Sequence, residues 1–299
     1  MLTASVAAAE LRARNRLVVG VSALQPTVDL ASMVDAYRTQ AKLAGPSRFE
    51  IEIPSEYLEA AWLADWEAAY SIAITQTRTY LHSVFSPINP EWTAVTGYYA
   101  AFFSCRALLY GVGVGHRTLG RGGVLPQGLY DLRVVQGPSV NTSTLICKPQ
   151  GQGGSHKAAW RELDLVLADL LTLGGLDLTS TNIISTLRTL ISHPQHVSAF
   201  RNAINYSLDI ASKPMKMWTS EIGRVSDVAA LEQSLSTLQH RRGEHRIEVL
   251  LLATLSWQRD LYSDYLARAV RPDRRPKRQR AEAVALDGAP VGPLLQEWI

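Results

Sequence analysis

The chain has 299 residues, 46% of them hydrophobic and 19% charged, with a net charge of +3 and two cysteines, Cys105 and Cys147. A composition this apolar excludes a disordered chain, and two cysteines exclude a disulfide framework and point to a reducing cytoplasm. No apolar run reaches the roughly 18 residues that a membrane span needs, so no membrane is expected, and the N-terminal charges follow a short alanine run instead of preceding it, so no signal peptide is expected either.

Residues 1–50 read as an N-terminal helical extension. Its better helix covers TVDLASMVDAYRTQAKLAG, from Thr27 or Asp29 to the Gly45-Pro46 break, and the short FEIEI alternation then marks a boundary. From Ser55 the helical pattern is strong. Tyr57, Trp62, Trp66, Tyr70, Ile74 and Leu81 recur mostly at three- or four-residue steps, which places them on one face. Pro87 and Pro90 end that segment, and Pro90 suits the first turn of a second helix, PEWTAVTGYYAAFFSCRALLYGVG. This second helix is apolar nearly all round and is expected at the centre of a bundle.

The six glycines between Gly111 and Gly123 resemble a phosphate loop only superficially. A dinucleotide motif would need glycine where His116 stands, the Gly-Lys-Ser/Thr of a Walker loop is missing, and the run follows a helix where both motifs follow a strand. A helix C-cap leading into a connector is expected instead. Residues 129–149, LYDLRVVQGPSVNTSTLICKP, are the one β-like stretch, with a hairpin turning at Gly137-Pro138. Helical pattern resumes over 155–173, 180–192, 194–211, 226–240 and 244–269, with Ser155, Ser180 and Ser226 as N-caps. The fold expected from this pass is mainly α: an antiparallel helical bundle over 51–270, with a small β-hairpin or extended insertion near 129–149. Residues 271–299 are expected to be a basic, disordered tail. Between Arg268 and Arg280 seven cations face one acid, Asp273, so the segment carries +6 and the rest of the chain −3. Arg274, Arg275, Lys277, Arg278 and Arg280 are the candidate nucleic-acid contacts.

One helical stretch concentrates polar chemistry: FRNAINYS, Phe200 to Ser207. At about 100° per residue Arg201 shares a face with Asn205, and Asn202 with Tyr206. Arginine offers a planar fork suited to phosphate, asparagine a donor, and tyrosine a hydroxyl whose ordinary pKa is near ~10. Two readings stand. The cluster either locks a helix into a buried polar network or handles a substrate phosphate, in which case Arg201, Asn202, Asn205 and Tyr206 are the catalytic residues. His193 and His196 have metal-ligand spacing but no carboxylate or cysteine at a helical offset, so no metal and no other cofactor is expected.

Two segments together resemble the HEPN superfamily, the all-helical "higher eukaryotes and prokaryotes nucleotide-binding" domains. TGYYAAFFSCRALLYGVGVGHRTL, Thr96 to Leu119, is similar to a helix that many bacterial members write Tyr-Tyr-Ala-Ala-Phe-His-Ala-Ala-Arg-Ala-Leu-Leu. Phe103 stands where that histidine often stands, and Arg106 matches the arginine. FRNAINYS resembles the superfamily's signature of an arginine, a polar residue and, after four to six positions, a histidine. Arg201 and Asn202 match, but Tyr206, Ser207 or Leu208 stands at the histidine position. The resemblance implies a bundle of four or five helices, a homodimer, and RNA binding or metal-independent RNA cleavage in a bacterial toxin, defence or stress system. The arginine would polarise the scissile phosphate and the histidine would shuttle protons. Because a tyrosine transfers protons poorly at neutral pH, either Tyr206 and Asn205 substitute, or the protein is a non-catalytic scaffold for dimerisation or a protein partner. His116, His156 and His245 are the other candidate bases.

Overall fold

The computed structural model describes residues 28–85, 90–120, 124–139, 141–150, 154–172 and 178–192, together with Thr254. Helix α1, Leu30–Tyr37, starts at an Asp29 N-cap whose carboxylate accepts the Ser32 N–H at 2.8 Å. The helix stops earlier than its sequence pattern, because a single 3-10 turn, Arg38–Gln40, leads into strand β1, Lys42–Gly45. Strand β2, Arg48–Pro54, follows a tight turn and pairs back, with Lys42 opposite Glu50 and Leu43 opposite Phe49. The FEIEI alternation is thus the strand itself, with Phe49, Ile51 and Ile53 buried and the residues between them more exposed.

Helix α2 runs Ser55–Phe85 and α3 runs Pro90–Gly111, with Pro90 as its first residue. They pack as an antiparallel hairpin: Tyr80 lies against Gly97 near the turn, and Trp62 meets Tyr110 at the far end. Trp62, Trp66, Tyr70 and Ile74 of the α2 stripe are buried, each worth roughly 1.5–3 kcal/mol in apolar transfer. Tyr57, expected on the same face, is exposed. Between Val95 and Val112 only Tyr99, Phe103 and Arg106 of α3 are not buried, in agreement with its all-round apolar sequence.

After Gly111 the backbone turns through Gly113 at φ 85°, a left-handed conformation that glycine adopts without steric cost. It then enters strand β3, Val114–Leu119, where a connector was expected. Strands β4, Gly128–Gln136, and β5, Thr142–Pro149, form the expected hairpin, closed by the Gly137 N–H donating to Thr142 O at 3.0 Å. Sheet order is β1-β2-β5-β4-β3, and every neighbouring pair is antiparallel. Helices α4, Gly154–Thr172, and α5, Leu178–Ser192, complete the described elements. Ser155 and Ser180, expected as caps, lie inside the helices.

The expectation of a mainly α antiparallel bundle with one small β insertion near 129–149 is therefore corrected. The described residues form a mixed α/β fold in which helices pack on a five-stranded antiparallel sheet. The two edge strands are short and each contains a glycine, too few patterned residues to announce a sheet by periodicity alone. The helices expected over 194–211, 226–240 and 244–269 and the tail at 271–299 lie outside the described residues, Thr254 apart.

Cross-strand register separates the two faces of the sheet, since directly opposed residues share a face. Phe49 and Ile51 on β2, Leu145 and Cys147 on β5, and Leu132 and Val134 on β4 align on one apolar face. Gly115 and Arg117 of β3 belong to that face through their pairing with Leu132 and Tyr130. Gly115 meets α3 and α2 there, since a β-carbon would stand 2.9 Å from Tyr110 and 3.1 Å from Trp62, and Arg117 reaches Asp65 of α2 and Asp29 at the start of α1. His116, Asp131 and Arg133 point to the opposite face, which α4 reaches through Arg161 and Glu162. Among the described residues no helix is long and apolar enough to cross a membrane.

Candidate functional site

Arg201, Asn202, Asn205 and Tyr206 lie outside the described residues, as do His245 and the tail cations Arg274, Arg275, Lys277, Arg278 and Arg280. The candidate site that the described residues build centres on another residue from the sequence reading, His116.

His116 stands directly opposite Asp131 across the β3–β4 ladder, with Nδ1 2.9 Å from Asp131 Oδ1, and the two side chains are 3% and 10% exposed. Gln150, just past β5, donates its side-chain amide to the same carboxylate oxygen and lies 3.0 Å from His116 Nδ1. Its own backbone is fixed by an N–H bond to Leu129 O at 2.8 Å. Arg161 of α4 donates to Asp131 Oδ2 at 3.3 Å and to Glu162 Oε1 at 3.4 Å, and Arg133 of β4 donates to Glu162 Oε2 at 2.6 Å. From α3, Arg106 and Tyr110 both donate to the backbone carbonyl of His116, at 3.3 and 3.1 Å. The pair is therefore held from β3, β4, α3, α4 and the end of β5 at once.

The electrostatics keep Asp131 ionised. Burial drives the Asp131 carboxyl upward, but hydrogen bonds from His116 and Gln150 and the Arg161 charge outweigh it and hold the group below the ordinary carboxylate range. An ionised Asp131 only accepts, so Nδ1 carries a proton toward it, and a neutral imidazole held this way has its lone pair on Nε2. That nitrogen is buried and has no hydrogen-bond partner among the described residues, and neither has Gln150 Oε1. A carboxylate-oriented imidazole with a free Nε2 is the arrangement that accepts a proton from a substrate hydroxyl or hands one to a leaving group. Arg133 and Arg161, with side chains 47% and 62% exposed, pair with Glu162 and Asp131 and so place positive charge at the outer side of this network.

A second polar cluster lies on the other face, one residue along β3. Arg117 binds Asp29 Oδ2 at 2.7 Å and Asp65 Oδ1 at 3.2 Å, and Asp65 accepts the Leu30 N–H at 3.4 Å and the Tyr110 hydroxyl at 3.5 Å. Burial raises the Asp65 carboxyl although Arg117 opposes it, and burial together with the Asp65 charge pushes Tyr110 up to about 12. These groups satisfy one another and tie the start of α1 to α2 and β3, which is a structural task. His156, the other described candidate base, stacks on Phe102 at 3.9 Å, and its Nδ1 lies 3.0 Å from the Tyr98 hydroxyl. It belongs to the aromatic packing between α3 and α4. Cys105 and Cys147 are buried and unreactive, their thiols raised by burial. Among the described residues no group of three or more His, Cys, Asp or Glu side chains has the arrangement to hold a metal ion.

The sequence reading named His116 but missed Asp131, Gln150, Arg133, Arg161 and Glu162. The available signal was the pairing of GVGHRTL with LYDLRVV as two antiparallel strands, which sets residue 116 opposite 131; reading the first as a connector hid it. No protein-family model matches the chain, and no curated protein or solved structure gave a match.

Proposed function

We propose that this protein binds RNA and cleaves it without a metal ion, with His116 in the proton-transfer role that Tyr206 fills poorly. The observation that carries the reading is the buried His116–Asp131 pair, with Nδ1 held at 2.9 Å and Nε2 without a partner among the described residues. Two further features support it. Arg106, the arginine matched in the HEPN-like segment, donates to the backbone of His116, so the helix that carries the resemblance meets the strand that carries the base. Arg133 and Arg161 stand on the same side of the sheet as the imidazole, and the segment from Arg268 to Arg280 adds +6 of charge for backbone phosphates.

In this reading Nε2 takes the proton of the ribose 2′-hydroxyl as its oxygen attacks phosphorus. The guanidinium groups stabilise the charge that builds on the phosphoryl oxygens, and the 5′-oxygen leaves with a proton returned by the imidazolium. The products are a cyclic phosphate and a 5′-hydroxyl, so no water is consumed in the first step. The resemblance adds a homodimer, which sedimentation of the same preparation answers.

The test is His116→Asn. Asparagine keeps a donor near the Nδ1 position for Asp131 and removes Nε2. Cleavage of a labelled RNA in the presence of a chelator should fall by about 10²–10⁴-fold, the share of one general acid–base group, with an unchanged melting temperature. Wild-type protein that cleaves no RNA, or a variant that cleaves at the wild-type rate, rejects the ribonuclease reading. RNA binding without cleavage in the wild type would leave the binding scaffold.

A further inference from the structure

Three adjacent strands set Lys148, Asp131 and His116 in one row. Lys148 of β5 stands directly opposite Asp131 of β4, and Asp131 directly opposite His116 of β3. Directly opposed residues share a face of the sheet, so Lys148 lies on the face that carries the imidazole. Gln150, two residues further on, has its side chain on the same side, where its amide reaches Asp131 Oδ1. Two strand spacings of about 4.7–4.9 Å put β5 and β3 about 10 Å apart at this row.

The cations around Lys148 on this face have acids for partners. On β1 and β2, Lys42 pairs with Glu52 at 2.9 Å and Arg48 pairs with Glu50. Nearer His116, Arg133 pairs with Glu162 at 2.6 Å, and Arg161 pairs with Asp131 and Glu162. Lys148 is exposed, and among the described residues no hydrogen bond or ion pair holds its ammonium. Its neighbour across the ladder does not neutralise it. Asp131 turns Oδ1 to His116 and Gln150, and Oδ2 to Arg161. An exposed lysine ordinarily serves solubility; this one has its backbone fixed in a ladder, in line with an imidazole whose Nε2 has no partner among the described residues.

We propose that Lys148 is the phosphate anchor of the His116 site: its ammonium binds the backbone phosphate next to the one at which His116 acts. This rests on the RNA reading above and adds which residue seats the strand. A lysine ammonium is a compact point charge on a flexible stem, and here no carboxylate has to be displaced before a phosphate can bind. Arg133 and Arg161 share their charge with Glu162 and Asp131. The anchor grips the RNA equally before and during the reaction, so it lowers KM and leaves kcat alone.

The experiment is fluorescence anisotropy of the full-length protein with a labelled single-stranded oligoadenylate across a salt series. His116→Asn is present throughout so that the RNA stays intact. Adding Lys148→Gln should weaken binding at low salt by about 5- to 10-fold, the share of one exposed charge-assisted contact. The slope of log K against log salt should become shallower by about 0.7, one phosphate of a single strand. Lys148→Arg keeps the charge and should restore both, and neither change should move the melting temperature. Lys42→Gln removes an exposed cation already paired with Glu52 and should leave the slope unchanged. With His116 intact, Lys148→Gln should raise KM by the same factor as the binding loss and leave kcat within about twofold. An unchanged slope or an unchanged kcat/KM in Lys148→Gln overturns the anchor, as does a Lys42→Gln slope equally shallow. If Lys148→Gln cleaves as the wild type does while His116→Asn abolishes cleavage, the anchor fails alone. If the wild type binds no single strand, the RNA reading falls with it.

Discussion

The ring of Tyr80 occupies the space that a side chain at Gly97 would need: a β-carbon there would stand 2.8 Å from Tyr80 Cε2. Tyr80 is 1% exposed, so the ring has nowhere to go. Gly97→Ala would gain about 1 kcal/mol of helix propensity but pays for overpacking at the α2–α3 contact. The expected result is a net loss of about 1–3 kcal/mol, read by urea denaturation. Adding Tyr80→Leu should recover part of it, because the collision is with the ring.

The burial of α3 gives a second outcome. Leu108 and Phe102 are 2% and 3% exposed, and Phe102 also stacks on His156. Truncating either to alanine should cost about 2–5 kcal/mol in urea or thermal denaturation. A loss below about 1 kcal/mol at both sites would mean that the helix is peripheral to the stable core.

Asp131 should give a low-pH signature. Its carboxyl lies below the ordinary range in the folded protein, so the folded state binds that proton less readily than the unfolded chain does. Its stabilisation is present above the unfolded value of 3.8 and is lost as pH falls through the lower folded value. Asp131→Asn should therefore be less stable than the wild type at neutral pH, by about 1–3 kcal/mol for a buried donor left without its carboxylate, and the two proteins should converge in acid. In the ribonuclease reading the same change frees the His116 ring that Asp131 holds at 2.9 Å, so RNA cleavage should fall by more than the loss of stability accounts for.

Glu59 should act with the opposite sign. Burial pushes its carboxyl from 4.5 up to about 7. The folded state therefore holds the proton more tightly than the unfolded chain. The stability this provides is full below 4.5 and is lost as pH rises through about 7. Glu59→Gln should flatten that slope and be the more stable protein at about pH 8, while differing little at about pH 4. A wild-type urea midpoint that stays flat over this window would show that Glu59 is hydrated like a surface carboxylate.

The sequence by itself determined the long described helices and the β4–β5 hairpin, and it held the FEIEI alternation, which reads as a boundary. The Trp62, Trp66, Tyr70 and Ile74 stripe, Pro90 at a helix start and the all-round apolar α3 are properties of single segments, and an α-helix closes its hydrogen bonds within its own segment. The alternation of Phe49, Ile51 and Ile53 and the turn at Gly137 were equally local. Tertiary structure decided the sheet and the site. A strand bonds to a partner that can lie anywhere in the chain: β2 pairs with β5 across some ninety residues that include the whole α2–α3 hairpin. Val114–Leu119 becomes a strand because β4 offers it a ladder on one side and α1, α3 and α4 cover it on the others. That register alone sets His116 opposite Asp131. The imidazole, the carboxylate, the amide of Gln150 and the arginines of α3 and α4 converge from β3, β4, the end of β5, α3 and α4, and no spacing along the chain encodes that meeting.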